Sequence, residues 1–253
     1  MKMPIVIYLG PSMLDGSPIV VLASTGSSNV KTGPMVQTWI MRADMHPSEA
    51  SATSSDVSVC GLCPRRHALG GDCYVQIVHA PRSVWESWDR QGSPGTNWTE
   101  NGAILPLTQD ARDHGLRLGS YGDPMAVPFG VWADLIDALA PRSVVGYTHQ
   151  WSTTFDQTGA AWFRENLMAS CDSVAEASLA RELGWRFFLA TDSNDPQIDR
   201  VVQCPATRDV NPLTCERCGA CSGAGTGASV YLVEHGMRSQ SKAKRSASLA
   251  VLA

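Results

Sequence analysis

Apolar runs and turn-forming stretches alternate from the start of the chain. PIVIYL, IVVLAST and MVQTWIMR are separated by GPSMLDGSP and GSSNVKTGP, which predicts an N-terminal β-hairpin followed by a buried strand. The small, polar ADMHPSEASATSSDVS then predicts a long loop, of the kind that carries function or mobility. It runs into VCGLCPRRHALGGDCYVQI, and VHAPRSVWESWDR follows with helical spacing that puts Val84, Trp85 and Trp88 on one face. From Gly115 the rhythm is regular. GLRLGSYGDP predicts a strand and a glycine turn, and VPFGVWADLIDALA a helix with Val131, Leu135, Ile136 and Leu139 inward. SVVGYTHQW, NLMASCDS, WRFFLATD, RVVQCPA and ASVYLVEHG read as further strands. SVAEASLARELG reads as a helix with an inner stripe of Ala175, Leu179 and Leu183, stopped by Gly184. Strands alternating with helices predict an α/β fold of parallel βαβ units, in an open sheet or a whole or partial barrel. No repeat beyond that rhythm stands out.

Composition narrows this picture modestly. The chain has 253 residues, 43 % of them hydrophobic, with a formal net charge of −4. That is enough for one large domain with a core, and it excludes a strong global field for nucleic acid. No run is long and apolar enough for a membrane span, and no signal-peptide core precedes PIVIYL, so the expected location is the cytoplasm. In a reducing compartment, eight cysteines at close spacings favour metal ligation over disulfides. The NWT triplet at Asn97 carries no weight there.

Two cysteine groups follow. Cys204, Cys215, Cys218 and Cys221 form C-x10-C-x2-C-x2-C, whose two-residue gaps let sulfurs converge on one centre. Four thiolates suit a structural zinc, and the repeated C-x2-C step also suits a [4Fe–4S] cluster. Cys60, Cys63 and Cys73 form C-x2-C-x9-C. With His67 or His79 as a fourth ligand they would make a zinc knuckle; without one they would leave a coordination position open for a substrate or cofactor. A split site joining Cys60 and Cys63 to Cys215 and Cys218 is a further pairing the spacing allows.

Other candidates are less specific. Ser120, Tyr121, Gly122, Asp123 and Pro124 end a strand in a turn able to offer backbone groups to a ligand, or simply to start the next helix. Tyr147, His149 and Trp151 alternate along one face and could line a substrate pocket, or pack as core. Cys171 is a candidate hydrogen donor or a small buried residue. Arg238, Lys242, Lys244 and Arg245 make a basic tail, expected to be disordered, that could touch phosphates or stay solvated.

A strand followed by a three-cysteine loop with Cys73 beside Tyr74, a second strand ending Ser120-Tyr121-Gly122-Asp123-Pro124, and a cysteine-rich C-terminal segment together resemble radical S-adenosylmethionine enzymes. The likeness extends over residues 35 to 222 in order of elements and is strongest to small phage-encoded proteins of that kind. The family's usual spacing is C-x3-C-x2-C, and its glycine-rich turn carries glutamate where this chain has Asp123. The resemblance implies a partial (β/α) barrel over residues 1–203 with the N-terminal hairpin, a metal-binding extension over 204–237 and a tail over 238–253. It implies a [4Fe–4S] cluster on Cys60, Cys63 and Cys73, with S-adenosylmethionine held by the turn from Ser120 to Pro124. A second cluster or zinc would sit on Cys204, Cys215, Cys218 and Cys221. The implied activity is generation of a 5′-deoxyadenosyl radical that modifies a small molecule, a nucleotide or a nucleic acid base, with an electron-donor protein as partner and the host cytoplasm as location. The alternative is a non-catalytic zinc-binding module that contacts a partner or nucleic acid.

Overall fold

The computed structural model describes residues 4–26, 29–92, 95–100, 102–153, 157–208, 210–223 and 227–234, and the basic tail lies outside them. Strands β1 (Ile5–Pro11), β2 (Pro18–Ser24) and β3 (Val36–Arg42) form an antiparallel meander. The predicted N-terminal hairpin is its first half. β2 is buried on both faces from Ile19 to Ala23, which explains its unbroken apolar run.

After β3 come two short helices, α1 (Pro47–Ala52) and α2 (Val57–Cys60), where the sequence predicts only loop. Their Ser- and Ala-rich composition hides them, but Pro47, Ala50, Ser58 and Val59 are buried, so tertiary packing holds them. Helix α3 (Ala80–Asp89) buries Val84 and Trp88, with Trp85 half-buried beside them. α4 (Leu105–His114), unassigned by pattern, precedes β4 (Leu116–Tyr121). Then α5 (Phe129–Leu139) and β5 (Val144–Thr148) follow as expected; α6 (Gln157–Asn166), unassigned by pattern, comes next, and β6 (Met168–Cys171), α7 (Val174–Glu182) and β7 (Phe187–Thr191) again follow expectation. The chain closes with β8 (Val201–Gln203), α8 (Cys215–Cys218) and β9 (Ser229–Val233).

Among the described residues nine strands form one mixed sheet in the order β1-β2-β3-β4-β5-β6-β7-β9-β8, parallel from β3 onward. The sheet is not closed; β1 and β8 are its edges. β9, from the segment expected as a C-terminal extension, inserts between β7 and β8. Within α5 the largest buried side chain is Trp132, whose indole N–H donates to Pro124 O at 2.9 Å. In α7 the expected stripe is corrected: Ala177 and Ala180 face the sheet, while Ala175, Leu179 and Leu183 are exposed. Small side chains let this helix lie close on β6 and β7, and periodicity alone cannot rank them above leucines. Gly184 stops α7 with φ of +80°, as expected. No helix among the described residues is long and apolar enough to cross a membrane.

Candidate functional site

A parallel sheet gathers whatever follows its strands at one edge. Here that edge receives Tyr121 at the end of β4 with Gly122 and Asp123 after it, His149 and Gln150 after β5, Asp172 after β6 and Glu234 after β9. The three-cysteine loop, leaving β3 through α1 and α2, folds over the same edge. Asp123 N–H donates to Val59 O at 2.6 Å, and Gln150 Nε2 to Cys60 O at 3.2 Å. Leu62 N–H donates to Gln150 Oε1 at 3.3 Å, and Cys63 Sγ lies 3.8 Å from His149 Nε2.

The loop is knotted from within. Arg66 Nε and Nη2 both donate to Asp56 Oδ1, at 3.0 and 2.5 Å, and Nη2 also donates to Ser54 O at 2.8 Å. Both side chains are buried, so this ion pair is structural. Arg65 points the other way, pairing with Asp72, Asp172 and Glu234. Gly71 packs against the Arg65 backbone so closely that no Cβ would fit. The Pro64-Arg65-Arg66 step thus splits its two cations between the loop's interior and the strand ends.

Cys60, Cys63 and Cys73 gather in this loop. Burial pushes the Cys60 thiol up, and Asp56, Cys73, Cys63 and Asp123 all act on it in the same direction. Tyr121 stands within electrostatic reach of Cys60 and Cys73, and its buried hydroxyl has no hydrogen-bond partner. Ser120 Oγ is likewise buried and unpartnered. Among native structures such orphaned groups are few and point to a missing partner. Asp123, by contrast, is taken up: Oδ1 accepts from Met125 N–H at 3.0 Å and Oδ2 from His149 N–H at 2.8 Å. Burial raises its pKa against those hydrogen bonds.

Gly122 adopts φ of +81°, and a Cβ there would meet Ile40 O at 2.6 Å. Gly122→Ala is therefore expected to lower stability by about 1–3 kcal/mol, measured by urea unfolding; an unchanged midpoint would show that the turn relaxes freely.

Asp172 accepts from His149 Nε2 at 3.2 Å and from Arg65 Nε. Burial opposes its charge, but the His149 hydrogen bond and the Arg65 charge win, leaving it below the ordinary aspartate value of 3.8. A depressed carboxylate stabilises the fold above its unfolded value and loses that contribution as pH falls through its folded one. The metal-free Asp172→Asn variant should thus be less stable than its parent at neutral pH, and the gap should narrow as pH falls below the ordinary aspartate value of 3.8. A gap that persists in acid would remove Asp172's charge from the account. His149 is raised to about 10: burial lowers it, and hydrogen bonds to Asp172 and Cys63 outweigh that.

The other cysteine group lies toward the opposite, amino-terminal ends of the strands. Cys215 N–H donates to Lys31 O at 2.8 Å, ahead of β3, and Gly219 and Gly223 pack near Ser143 and Leu167, ahead of β5 and β6. Cys204, Cys215, Cys218 and Cys221 line one small pocket with Val145, Pro205, Ala206, Gly219 and Ala220. Burial pushes Cys221 up to about 12, against a hydrogen bond from the Tyr147 hydroxyl, with the other three cysteines adding to the rise. Cys204 and Cys215 are also raised by burial. Each cysteine group gathers separately, so the split pairing is not what the chain adopts. They are nonetheless joined: Tyr74, beside Cys73, accepts from Arg117 Nη2 at 2.7 Å, and Arg117 lies within reach of Cys215. No disulfide forms, and among the described residues no group of three or more His, Cys, Asp or Glu side chains is arranged to hold a single metal ion.

The remaining candidates disperse. Tyr147 meets Phe188 in a tilted ring contact at 4.8 Å, His149 meets Asp172, and Trp151 is buried with its indole N–H on Ser170 O at 3.0 Å. His149 and Trp151 lie past the end of β5, where strand alternation no longer sets direction. Cys171 is fully buried in the apolar core, and burial raises its thiol. Sequence reasoning missed Arg65, Asp172, Glu234, Gln150, Arg117 and Arg186; the doubled arginine inside a cysteine loop was the one visible hint. A pocket of about 280 Å³ adjoins the loop, lined by Met13, Leu14, Asp15, Val57, Gly61, Leu62, Gln150 and Thr153. Comparison with protein-family models, with curated proteins and with solved structures finds no match to this chain.

Proposed function

We propose that this chain is a radical S-adenosylmethionine-like iron–sulfur enzyme. The observation that carries the reading is the meeting of Cys60, Cys63 and Cys73 with the Tyr121–Gly122–Asp123 turn at the carboxyl edge of a parallel sheet. The sequential order of β3 to β7 is also the order a partial (β/α) barrel has. Three thiols are a donor set suited to iron–sulfur ligation, and the unpartnered Tyr121 hydroxyl beside them fits a bound group.

In this reading Cys60, Cys63 and Cys73 hold a [4Fe–4S] cluster, and the turn from Ser120 to Pro124 faces the methionine part of S-adenosylmethionine. Were the two bound there, they would supply one-electron radical chemistry. The chain's own residues position and shield. Arg66 and Asp56 fix the loop, while Gln150 and Asp123 set its height above the strands. His149 presents a ring nitrogen toward Cys63, where hydrogen bonding to a ligating sulfur tunes a cluster's potential. Cys204, Cys215, Cys218 and Cys221 hold a second centre, either an iron–sulfur cluster or zinc.

Anaerobic purification from iron-replete cells tests this. The expected product is a brown protein absorbing near about 400 nm with several irons per chain, which releases 5′-deoxyadenosine when reduced with S-adenosylmethionine. A colourless protein carrying stoichiometric zinc would replace the enzyme with a zinc-binding module.

A further inference from the structure

Three donor atoms beside the four-cysteine segment have nothing to bond. Arg117 Nε, Arg186 Nε and Ser143 Oγ are all buried without a hydrogen-bond partner. Both guanidinium groups are otherwise pinned. Arg117 Nη1 donates to Thr32 Oγ1 at 3.1 Å and Nη2 to Tyr74 Oη. Arg186 Nη2 donates to Ala220 O at 2.9 Å and Ala228 O at 2.7 Å, and Nη1 donates to Ser222 O. Ala220 and Ser222 flank Cys221, so Arg186 clamps the backbone on both sides of that cysteine. The two cations act on different sulfurs, Arg117 on Cys215 and Arg186 on Cys221. Lys31 adds a third positive charge near Cys204, while Glu216, inside the cysteine segment, is engaged by His114 at 3.3 Å and Arg142 at 3.9 Å.

This arrangement is costly for thiols in their protonated state. Two half-buried cations lie near neutral sulfurs, and three buried donor atoms stay unmet. It is favourable for a metal–thiolate centre. Four thiolates around a doubly positive zinc ion, or around an oxidised [4Fe–4S] core of the same charge, leave two negative charges over. Two arginines match them.

We propose that Arg117 and Arg186 are the countercharges of a dianionic metal–thiolate centre held by Cys204, Cys215, Cys218 and Cys221. The proposal rests on the reading of this pocket as a metal site, whose four cysteines share one lining but would have to draw together on an incoming ion, and is independent of the chemistry at Cys60, Cys63 and Cys73. It also gives the Tyr74–Arg117 hydrogen bond a role: loading one cysteine group orders the residue that touches the other's loop.

The test uses the full chain carrying Cys60→Ala, Cys63→Ala and Cys73→Ala, so that only the four-cysteine group can load. One arm receives ferrous iron with sulfide under anaerobic conditions, the other zinc, and retention against a chelator is followed. The parent should take up metal in at least one arm. Arg117→Gln and Arg186→Gln should each shorten retention by about tenfold, and the Lys substitution at each site should recover most of it. Far-UV circular dichroism of the metal-free proteins checks folding; where a Gln variant does not fold, the Lys variant and the other arginine's pair carry the comparison. Unchanged retention in the Gln variants, or Lys variants no better than Gln, overturns the countercharge role. Uptake of neither metal by the parent overturns it too. 5′-Deoxyadenosine release by the chain with all its cysteines reports separately on the enzyme reading.

Discussion

Replacing Arg66 by Met in a chain that keeps Asp56 should cost about 3–5 kcal/mol of stability. The reason is the burial of the pair. Arg66 and Asp56 are 8 % and 3 % exposed, so removal of the cation leaves a carboxylate in a site that water does not reach. The carbonyl of Ser54 also loses its donor. Domains of this size are stable by about 5–15 kcal/mol, so a large fraction is at stake. Removing both charges should cost less than removing one: Asp56→Leu with Arg66→Met should recover part of the loss, because the pair's attraction mainly offsets its own desolvation. Urea unfolding of the two single variants and the double variant closes the cycle. A loss under about 1 kcal/mol for Arg66→Met would mean that the pair is solvated and the loop is held by other contacts. Metal uptake at Cys60, Cys63 and Cys73 should fall with the same variant, since the knot sets the path of the chain between Cys60 and Cys73.

The strands were legible because each is a short apolar run bracketed by turn residues, and the parallel arrangement followed from their alternation with helices. Whether the sheet closes is not a local property; it depends on strand number, tilt and which edges meet. α1 and α2 escaped because a Ser/Thr/Ala segment carries no periodic apolar signal, and what stabilises them is the sheet they lie on. At the site, short gaps in sequence already pointed to cysteines that the fold brings near one another in two separate groups. The groups that complete them were not visible. Asp172 and Glu234 reach Arg65 only because β6 and β9 end at one edge, across 107 and 169 positions of chain. Arg117 reads in sequence as one polar residue in a strand, and its place between Tyr74 and Cys215 exists only once β4 is laid in the sheet. Tyr147 reads in sequence as a pocket or core residue; that its hydroxyl bonds Cys221 is a contact no spacing rule links to it.

Cys73→Ala should abolish 5′-deoxyadenosine release while leaving metal at the other group intact, and Cys218→Ala should do the reverse for metal content. The argument is positional. Cys73 lies in the loop over the carboxyl edge, with Tyr121 and Asp123 near its partner Cys60, whereas Cys218 lines a pocket walled by Val145, Pro205 and Ala206. The second pocket is lined by four cysteines and by small or apolar residues, which suits a closed centre with every position taken by sulfur. The first has three cysteines and orphaned hydroxyls at its side, which suits a centre with a position left for a ligand. Iron and zinc content, measured on each variant after anaerobic purification, should therefore fall by the share of one group only, and release of 5′-deoxyadenosine should follow Cys73 all-or-none. Release that survives Cys73→Ala would remove Cys60, Cys63 and Cys73 as the ligand set. Equal loss of metal from both groups in either variant would mean that Tyr74 and Arg117 couple them so tightly that neither loads alone.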